Sequence, residues 1–477
     1  MWRQLVPRSR VARQGRVSFF GPADSPAHFP RTEAVRPMPC FVRPWIVTVV
    51  IGLFYGSAMG FVPLVAQPPL APGNEPGGVD ARGADVEVPD VAESGIGSAD
   101  IGLSGDRLSG DPPMPPVEYS DEERELVDAF QESRQRLADA LTQWRATQVR
   151  YRNGIDQSAA AVRQFREQRV EVRRRLDETF AAALRVVRQV PDMDAGSYLL
   201  TIVQNHHSND VYDESTFQAA MVLLESGVPY AFVFQAAARS AICVGEFDVA
   251  RQLYEVLEEQ NMDDCDHVFR FEMDTLRREY QKEMAIRERH ADEELPLVRL
   301  RTTQGDVLIE LFLHEAPSTV AHFIALVEEG FYDELDFYQV KSRMFALTGD
   351  PSGNGSGHAG RFVVDENDHP DARRALRGTL TLAKNRRPDG EPIPDSGSSQ
   401  FAISFVPLPG LLDSGTTFGR VIEGMEHICH TRRIDPFEKK EEGQIVLPPD
   451  RILSAEVVRK PDDLPEPIYS ERRAGSP

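Results

Sequence analysis

The chain has 477 residues, 27% of them charged, which is long enough for two or three domains with separate cores. The net charge is -22 in total: residues 1–66 carry +6, and residues 67–477 carry -28. The acidity of this larger part argues against nucleic acid and anionic membranes as partners. Four scattered cysteines without a CxxC pair argue against a disulfide scaffold, although Cys243 and Cys265 either pair in an oxidising compartment or stay free.

The first 66 residues predict export. The uncharged apolar stretch Trp45–Ala66 follows Arg36 and Arg43, which is the order of a basic and a hydrophobic region in a signal peptide. The stretch is either a cleaved signal or a retained membrane anchor, because it is just long enough for a hydrocarbon layer of ~30 Å. In both cases the positive-inside rule places the rest outside the cytoplasm, so we expect a periplasmic or secreted protein.

Residues 67–118 are rich in Pro, Gly, Asp and Ser and predict a disordered acidic linker. A helical domain is predicted over residues 119–290. Its first long helix starts with a Ser cap at Ser120 and an acidic turn, and a second covers Ala159–Val190, so the pair forms an antiparallel hairpin around Asn153-Gly154.

Shorter helices follow Pro191. The segment "VGEFDVARQLYEVLEEQN" weakly resembles the second half of a tetratricopeptide repeat. Two interpretations remain open for this region, a groove that docks a protein partner and a plain helical bundle.

The pattern changes to strand-like alternation at Leu297. A turn at Gln304-Gly305-Asp306 joins two alternating stretches into a hairpin, and a helix begins at Pro317 and stops at Gly330. Further short strands separated by Gly-rich loops predict a closed antiparallel β-barrel with capping helices over residues 297–460, followed by a disordered tail over 461–477.

Five segments of this domain carry a family resemblance. They are "GDVLIELFLHEAPSTVAHFIALVEEGFYDELDFYQV", "GDPSGNGSG", "GTLTLAKN", "SGSSQFAISF" and "LLDSGTTFGRVIEGM". In order and spacing they resemble the motifs of the cyclophilin-type peptidyl-prolyl cis-trans isomerases (rotamases). The resemblance implies an isomerase that uses neither metal nor cofactor, with an arginine that hydrogen-bonds the substrate near the prolyl amide above an apolar pocket.

The family arginine falls on Gln339, because the usual "FHRV" is "FYQV" in this chain. A neutral donor is about half as strong as a charge-assisted one, so the resemblance implies a weakened active site, with Lys341 and Arg343 as neighbouring cations. The substrate-binding positions that the resemblance implies are Met344, Phe345, Leu347, Ala383, Gln400, Ala402, Leu411 and Leu412.

The sequence therefore predicts an exported isomerase that acts on proline-containing segments of extracytoplasmic proteins and assists their folding. A protein partner for the helical domain is a further expectation. The alternative is a catalytically inactive scaffold that only binds peptides or docks partners, and the substitution at Gln339 leaves the choice open.

Overall fold

The computed structural model describes residues 119–410, 414–437 and 448–471. A helical region comes first along the chain, and a curled antiparallel sheet with two helices follows it. The predicted export segment and acidic linker lie outside the described residues.

Two long antiparallel helices open the helical region, α1 (Asp121–Arg152) and α2 (Ala159–Gln189). Ser120 and Glu123 form a reciprocal capping box at the start of α1, as the Ser cap and acidic turn predict. Near the turn, the rings of Trp144 and Phe165 lie 5.5 Å apart. Farther along, Thr179 of α2 donates its hydroxyl to the Ser133 carbonyl of α1, so the predicted hairpin is present.

Five shorter helices complete this region: α3 (Met193–Ser208), α4 (Glu214–Glu225), α5 (Ala231–Val244), α6 (Phe247–Val256) and α7 (Asp264–Arg289). Gly245 ends α5 at φ +92°, and a Cβ there would lie 2.4 Å from the Tyr280 ring of α7. Only glycine allows this close approach and this backbone conformation together. The resemblance of α5 and α6 to a tetratricopeptide repeat stays a prediction.

An eight-stranded antiparallel sheet forms the C-terminal part, in the order β3-β4-β6-β5-β7-β2-β1-β8. Its elements are β1 (Leu297–Thr302), β2 (Asp306–Leu311), α8 (Pro317–Glu328), β3 (Gln339–Lys341), β4 (Phe345–Thr348), β5 (Thr379–Leu382), β6 (Phe401–Ser404), β7 (Thr417–Glu423), α9 (Met425–Cys429) and β8 (Ile452–Arg459). The β1–β2 hairpin turns at the predicted position, and Pro317 is the first residue of α8.

Hydrogen bonds join the two edges of the sheet. The Phe337 N–H, just before β3, donates to the Asp450 carbonyl, and the Ile452 N–H of β8 donates to the Leu335 carbonyl, both at 2.8 Å. The sheet therefore curls until its two edges meet. Helix α8 covers one opening, where the Phe323 ring packs 5.1 Å from that of Phe418. The predicted fold class, a helical region followed by an antiparallel barrel-like sheet with capping helices, is confirmed.

Residues 461–471 differ from the predicted disordered tail, because they lie against the barrel. Tyr469 pairs with Val363 in a β-bridge, and its ring packs edge-on against His322 of α8 at 5.5 Å. The Ile468 N–H donates to the Ser318 hydroxyl at 2.8 Å. Contacts with distant residues order this segment, and its local composition does not reveal them.

Cys243, Cys265 and Cys429 are free thiols, so the bridge between the first two that the sequence left open is not formed. Throughout the part of the chain that is described, no helix combines the length and the apolar character needed to cross a bilayer.

Candidate active site

Three predicted site residues form one row across neighbouring strands. Gln339 of β3 pairs with Leu347 of β4, which in turn pairs with Ala402 of β6. Because side chains alternate between the faces of a strand, Phe345 and Gln400 share the face of this row. The structure thus gathers five of the predicted site residues on one surface of the curled sheet.

Gln339 is almost fully buried, with 8% of its surface exposed. Its side-chain amide donates a hydrogen bond to Asp435 at 3.1 Å. Partial burial raises the pKa of Asp435, but hydrogen bonds from the Phe437 N–H, Lys341 and Gln339 outweigh it and lower the pKa overall. The carboxylate that holds the Gln339 amide is therefore ionised at neutral pH.

The two cations next to Gln339 along the chain already have acidic partners. Lys341 lies 3.0 Å from the second oxygen of Asp435, and the Arg343 guanidinium lies 3.3 Å from Asp263 of the helical region. Each ion pair favours a position directed towards its own carboxylate.

Met344 and Phe345 contact the helical region. Both side chains are partly buried and pack against the hydrophobic cluster formed by the long and the shorter helices, which also takes in Val406 and Leu408 from the segment after β6. The two pocket positions are thus also part of the boundary between the helices and the sheet.

Gln400 holds the Gly-rich loop that follows β4. Its amide N–H groups donate to the carbonyls of Gly355 at 3.2 Å and Gly357 at 2.7 Å, while its carbonyl accepts from the Tyr338 hydroxyl. Burial raises the pKa of that hydroxyl, so it stays protonated and remains a donor. Ala383 lies beside Gln400, because the Ala383 backbone N–H donates to the Gln400 backbone carbonyl at 2.8 Å.

Leu411 and Leu412, the remaining predicted pocket positions, lie outside the described residues. The other seven substrate-binding and catalytic positions belong to β3–β6 or to the residues next to these strands.

The sequence did not single out Asp210, which links the helical region to the edge of this face. Its carboxylate accepts from the Arg343 N–H at 2.9 Å and from the Arg433 guanidinium at 2.8 Å. Its carbonyl accepts from Arg377 at 2.9 Å, and the next residue, Val211, is part of the hydrophobic core of the sheet. Arg343 directly precedes Met344, so the helical region contacts the turn next to two of the predicted pocket residues.

Comparisons with known proteins agree with the motifs. The family model for cyclophilin type peptidyl-prolyl cis-trans isomerase/CLD matches residues 297–457. A peptidyl-prolyl cis-trans isomerase of Helicobacter pylori is 35% identical over 141 residues, which are 29% of this chain and 82% of that protein. The chain belongs to the cyclophilin-type peptidyl-prolyl cis-trans isomerases.

Two further relatives share the cyclophilin region. A Schizosaccharomyces pombe peptidyl-prolyl cis-trans isomerase is 35% identical over 134 residues, which are 28% of this chain and 81% of that protein. The crystal structure of a Cryptosporidium parvum cyclophilin type peptidyl-prolyl cis-trans isomerase has 26% identity and a TM-score of 0.30, covering 35% of this chain and all of that one. The matched residues of all three cover about a third of this cyclophilin or less, and the family model leaves the helical region outside its range.

Proposed function

We propose that this protein is an extracytoplasmic cyclophilin whose isomerase rate is low for its family, because a neutral amide replaces the cation at the prolyl bond. The observation that carries the proposal is the position of Gln339. It occupies the row of predicted groove residues, and its N–H is already engaged by Asp435 at 3.1 Å.

The chemistry explains why this exchange matters. Rotation about an amide breaks its resonance, and the barrier is roughly 18–20 kcal/mol. An isomerase stabilises the twisted amide with donors that are already oriented, and the loss of one such donor costs ~2.7–4 kcal/mol, about a hundred- to a thousandfold in rate. A neutral amide replaces only part of that stabilisation, and to donate to a substrate Gln339 must also leave or share Asp435.

Nearby cations compensate poorly. Lys341 and Arg343 are paired with Asp435 and Asp263, so each would have to leave a carboxylate to approach the prolyl bond. Both pairs are partly exposed and individually weak, but they hold Lys341 on the carboxylate that Gln339 also contacts and Arg343 on a carboxylate of the helical region.

The test is an isomerisation assay with a proline-containing peptide on the full chain and on Gln339→Arg. The new guanidinium gains a charge-assisted hydrogen bond worth roughly 1.4 kcal/mol more than the neutral one, so we expect the rate to rise about tenfold or more. Gln339→Leu removes the donor entirely, and we expect the rate to fall below that of the unchanged chain.

Gln135→Arg is a matched control, because Gln135 is an exposed glutamine of α1 whose amide also donates to an aspartate, Asp139, at 2.9 Å. It adds the same charge far from the groove, and we expect no change in rate. An unchanged chain as fast as an ordinary cyclophilin would contradict the weakened site, as would equal rates for the arginine and leucine variants of Gln339.

A scaffold that binds proline peptides without turnover is the second candidate. It is favoured by the packing of Met344 and Phe345 against the helical cluster, which restricts the movement of two pocket side chains. Saturable binding of the peptide, with no isomerisation by either the unchanged chain or Gln339→Arg, would identify the scaffold. Binding accompanied by turnover would identify the isomerase.

The extracytoplasmic location rests on the Trp45–Ala66 segment and the two arginines before it. Fractionation of cells that express the full chain, with protease added outside the cytoplasmic membrane, tests it. We expect the helical and cyclophilin domains to be digested without lysis of the membrane. N-terminal sequencing of the mature protein then distinguishes a cleaved signal from a retained anchor.

A further inference from the structure

Two histidines and a glutamate meet where the helical region joins the sheet. His290 directly follows α7, Glu293 lies in the segment leading to β1, and His314 follows β2. Their ligand atoms lie within 4.8 Å of one another. His290 Nδ1 is 3.1 Å from one Glu293 oxygen, and His314 Nε2 contacts the other.

We propose that His290, Glu293 and His314 bind a zinc ion. Zinc binds two imidazoles and a carboxylate readily, and bonds of about 2.0 Å in a tetrahedron place the ligand atoms roughly 3.3 Å apart. The His290–Glu293 distance is already close to that value. The imidazole planes are stacked, 8° from parallel with centroids 4.6 Å apart, so Glu293 must move and one imidazole must rotate before both in-plane nitrogen lone pairs point at one ion.

Glu315 supplies a second, independent observation. Its side chain is 2% exposed, and one of its oxygens lies 3.3 Å from His290 Nε2. With Nδ1 as the zinc ligand, the protonated Nε2 donates a hydrogen bond to Glu315. This is the carboxylate–histidine–metal arrangement found at zinc sites. The other Glu315 oxygen is buried without a hydrogen-bond partner, an uncommon condition for a carboxylate.

The three donors include one carboxylate. Its two oxygens contact the two imidazoles, so a bound ion would take the place of the protons that the imidazoles share with Glu293. Glu315 also lies 3.4 Å from the buried guanidinium of Arg373. Glu293 and His314 are both close to half exposed, which gives the ion a path from solvent. A cavity of about 130 Å³ borders His290 and Glu293 and has room for water as the fourth ligand.

A metal here would link two segments of the chain. His290 and Glu293 belong to the segment between the helices and the sheet, and His314 belongs to the sheet's own β2–α8 connection. None of the three ligands is a predicted groove residue, so the site is separate from the isomerase chemistry. It should stabilise the junction between the two regions.

The experiment is a titration of the tag-free full chain with Co²⁺ and Zn²⁺ after treatment with a chelator. We expect the visible absorption of four-coordinate Co²⁺ at one ion per chain, its displacement by Zn²⁺, and a higher melting temperature with either ion. His314→Ala removes a ligand and should weaken binding by more than about a hundredfold, whereas Glu315→Gln removes only an outer carboxylate and should weaken it by about ten- to a hundredfold.

His369→Ala is the matched control, because His369 is an exposed histidine of the sheet region outside the cluster. It should bind like the unchanged chain. The proposal is overturned if the unchanged chain gives no four-coordinate Co²⁺ spectrum or if His369→Ala loses the ion. It is also overturned if His314→Ala binds Co²⁺ as tightly as the unchanged chain. Circular dichroism of each variant shows that lost binding is not lost folding.

Discussion

Replacement of Asp210 tests whether the helical region holds the turn beside the pocket. The Asp210 carboxylate is 2% exposed and accepts two hydrogen bonds, one from the Arg343 N–H and one from Arg433. Asp210→Asn keeps the shape and one acceptor oxygen but removes the charge. Each of the two bonds should weaken by about 1 kcal/mol, which gives a loss of about 2 kcal/mol in the stability of the junction.

Asp210→Ala should cost more. It leaves the Arg433 guanidinium without its carboxylate. Loss of one partner from a buried ion pair costs about 3–5 kcal/mol, and we expect the lower value of about 3 kcal/mol because the Arg433 side chain is 26% exposed. Asp210 also has φ +60°, where alanine adds about 1 kcal/mol of backbone strain. The expected total is about 4 kcal/mol.

Amide hydrogen exchange at Arg343 is the direct assay, because that N–H is the group that Asp210 binds. A loss of about 2 kcal/mol should accelerate its exchange about thirtyfold in Asp210→Asn, and a denaturant titration should show the destabilisation. Asp389→Asn, in an exposed loop, should stay within about 0.5 kcal/mol of the unchanged chain. If the Arg343 amide exchanges at the same rate in the unchanged chain, Asp210→Asn and Asp389→Asn, the helices do not hold the turn.

Three further predictions concern stability. Burial lowers the pKa of His322 from 6.5 to about 4, so the unfolded chain takes up a proton at a higher pH than the folded chain does. Stability therefore falls as the pH drops from about 6.5 to 4, by about 2 kcal/mol at pH 5. Denaturation of His322→Gln at a series of pH values should not show this loss. Gly349→Ala places a Cβ 2.2 Å from a backbone oxygen at φ +86°, so thermal unfolding should show a loss well above the roughly 1 kcal/mol of Gly353→Ala, which has open space at φ +64°. Arg239→Met leaves the fully buried Asp266 without its cation and should cost about 3–5 kcal/mol of stability by denaturant titration. The double variant Arg239→Met/Asp266→Leu should recover part of this loss. Equal losses in the single and the double variant would contradict the pairing.

Much of the fold could be predicted because its signals are local. The capping box at Ser120 and the proline at the start of α8 act within one helical turn, and each was identifiable from a few adjacent residues. Strand alternation likewise set which residues of β4 share a face, and the family motifs aligned Gln339, Leu347 and Ala402 in one row.

The contacts of that row could not be predicted in the same way. Gln339 meets Asp435, 96 positions later, and no local pattern distinguishes this aspartate from the chain's other acidic residues. The same holds for Asp210, whose importance comes from Arg433, 223 positions away. Neither pair has a spacing that a helix or strand period would reveal.

By itself the sequence determined most of the helices and strands and the family of the C-terminal domain, because hydrogen bonds and side-chain periodicity between near neighbours are encoded in consecutive residues. Tertiary structure alone decided that Met344 and Phe345 touch the helices, that residues 461–471 lie on the barrel, and that His290 meets His314. Those contacts depend on how segments far apart in the chain pack together, and packing is settled by the shape and charge of whole surfaces.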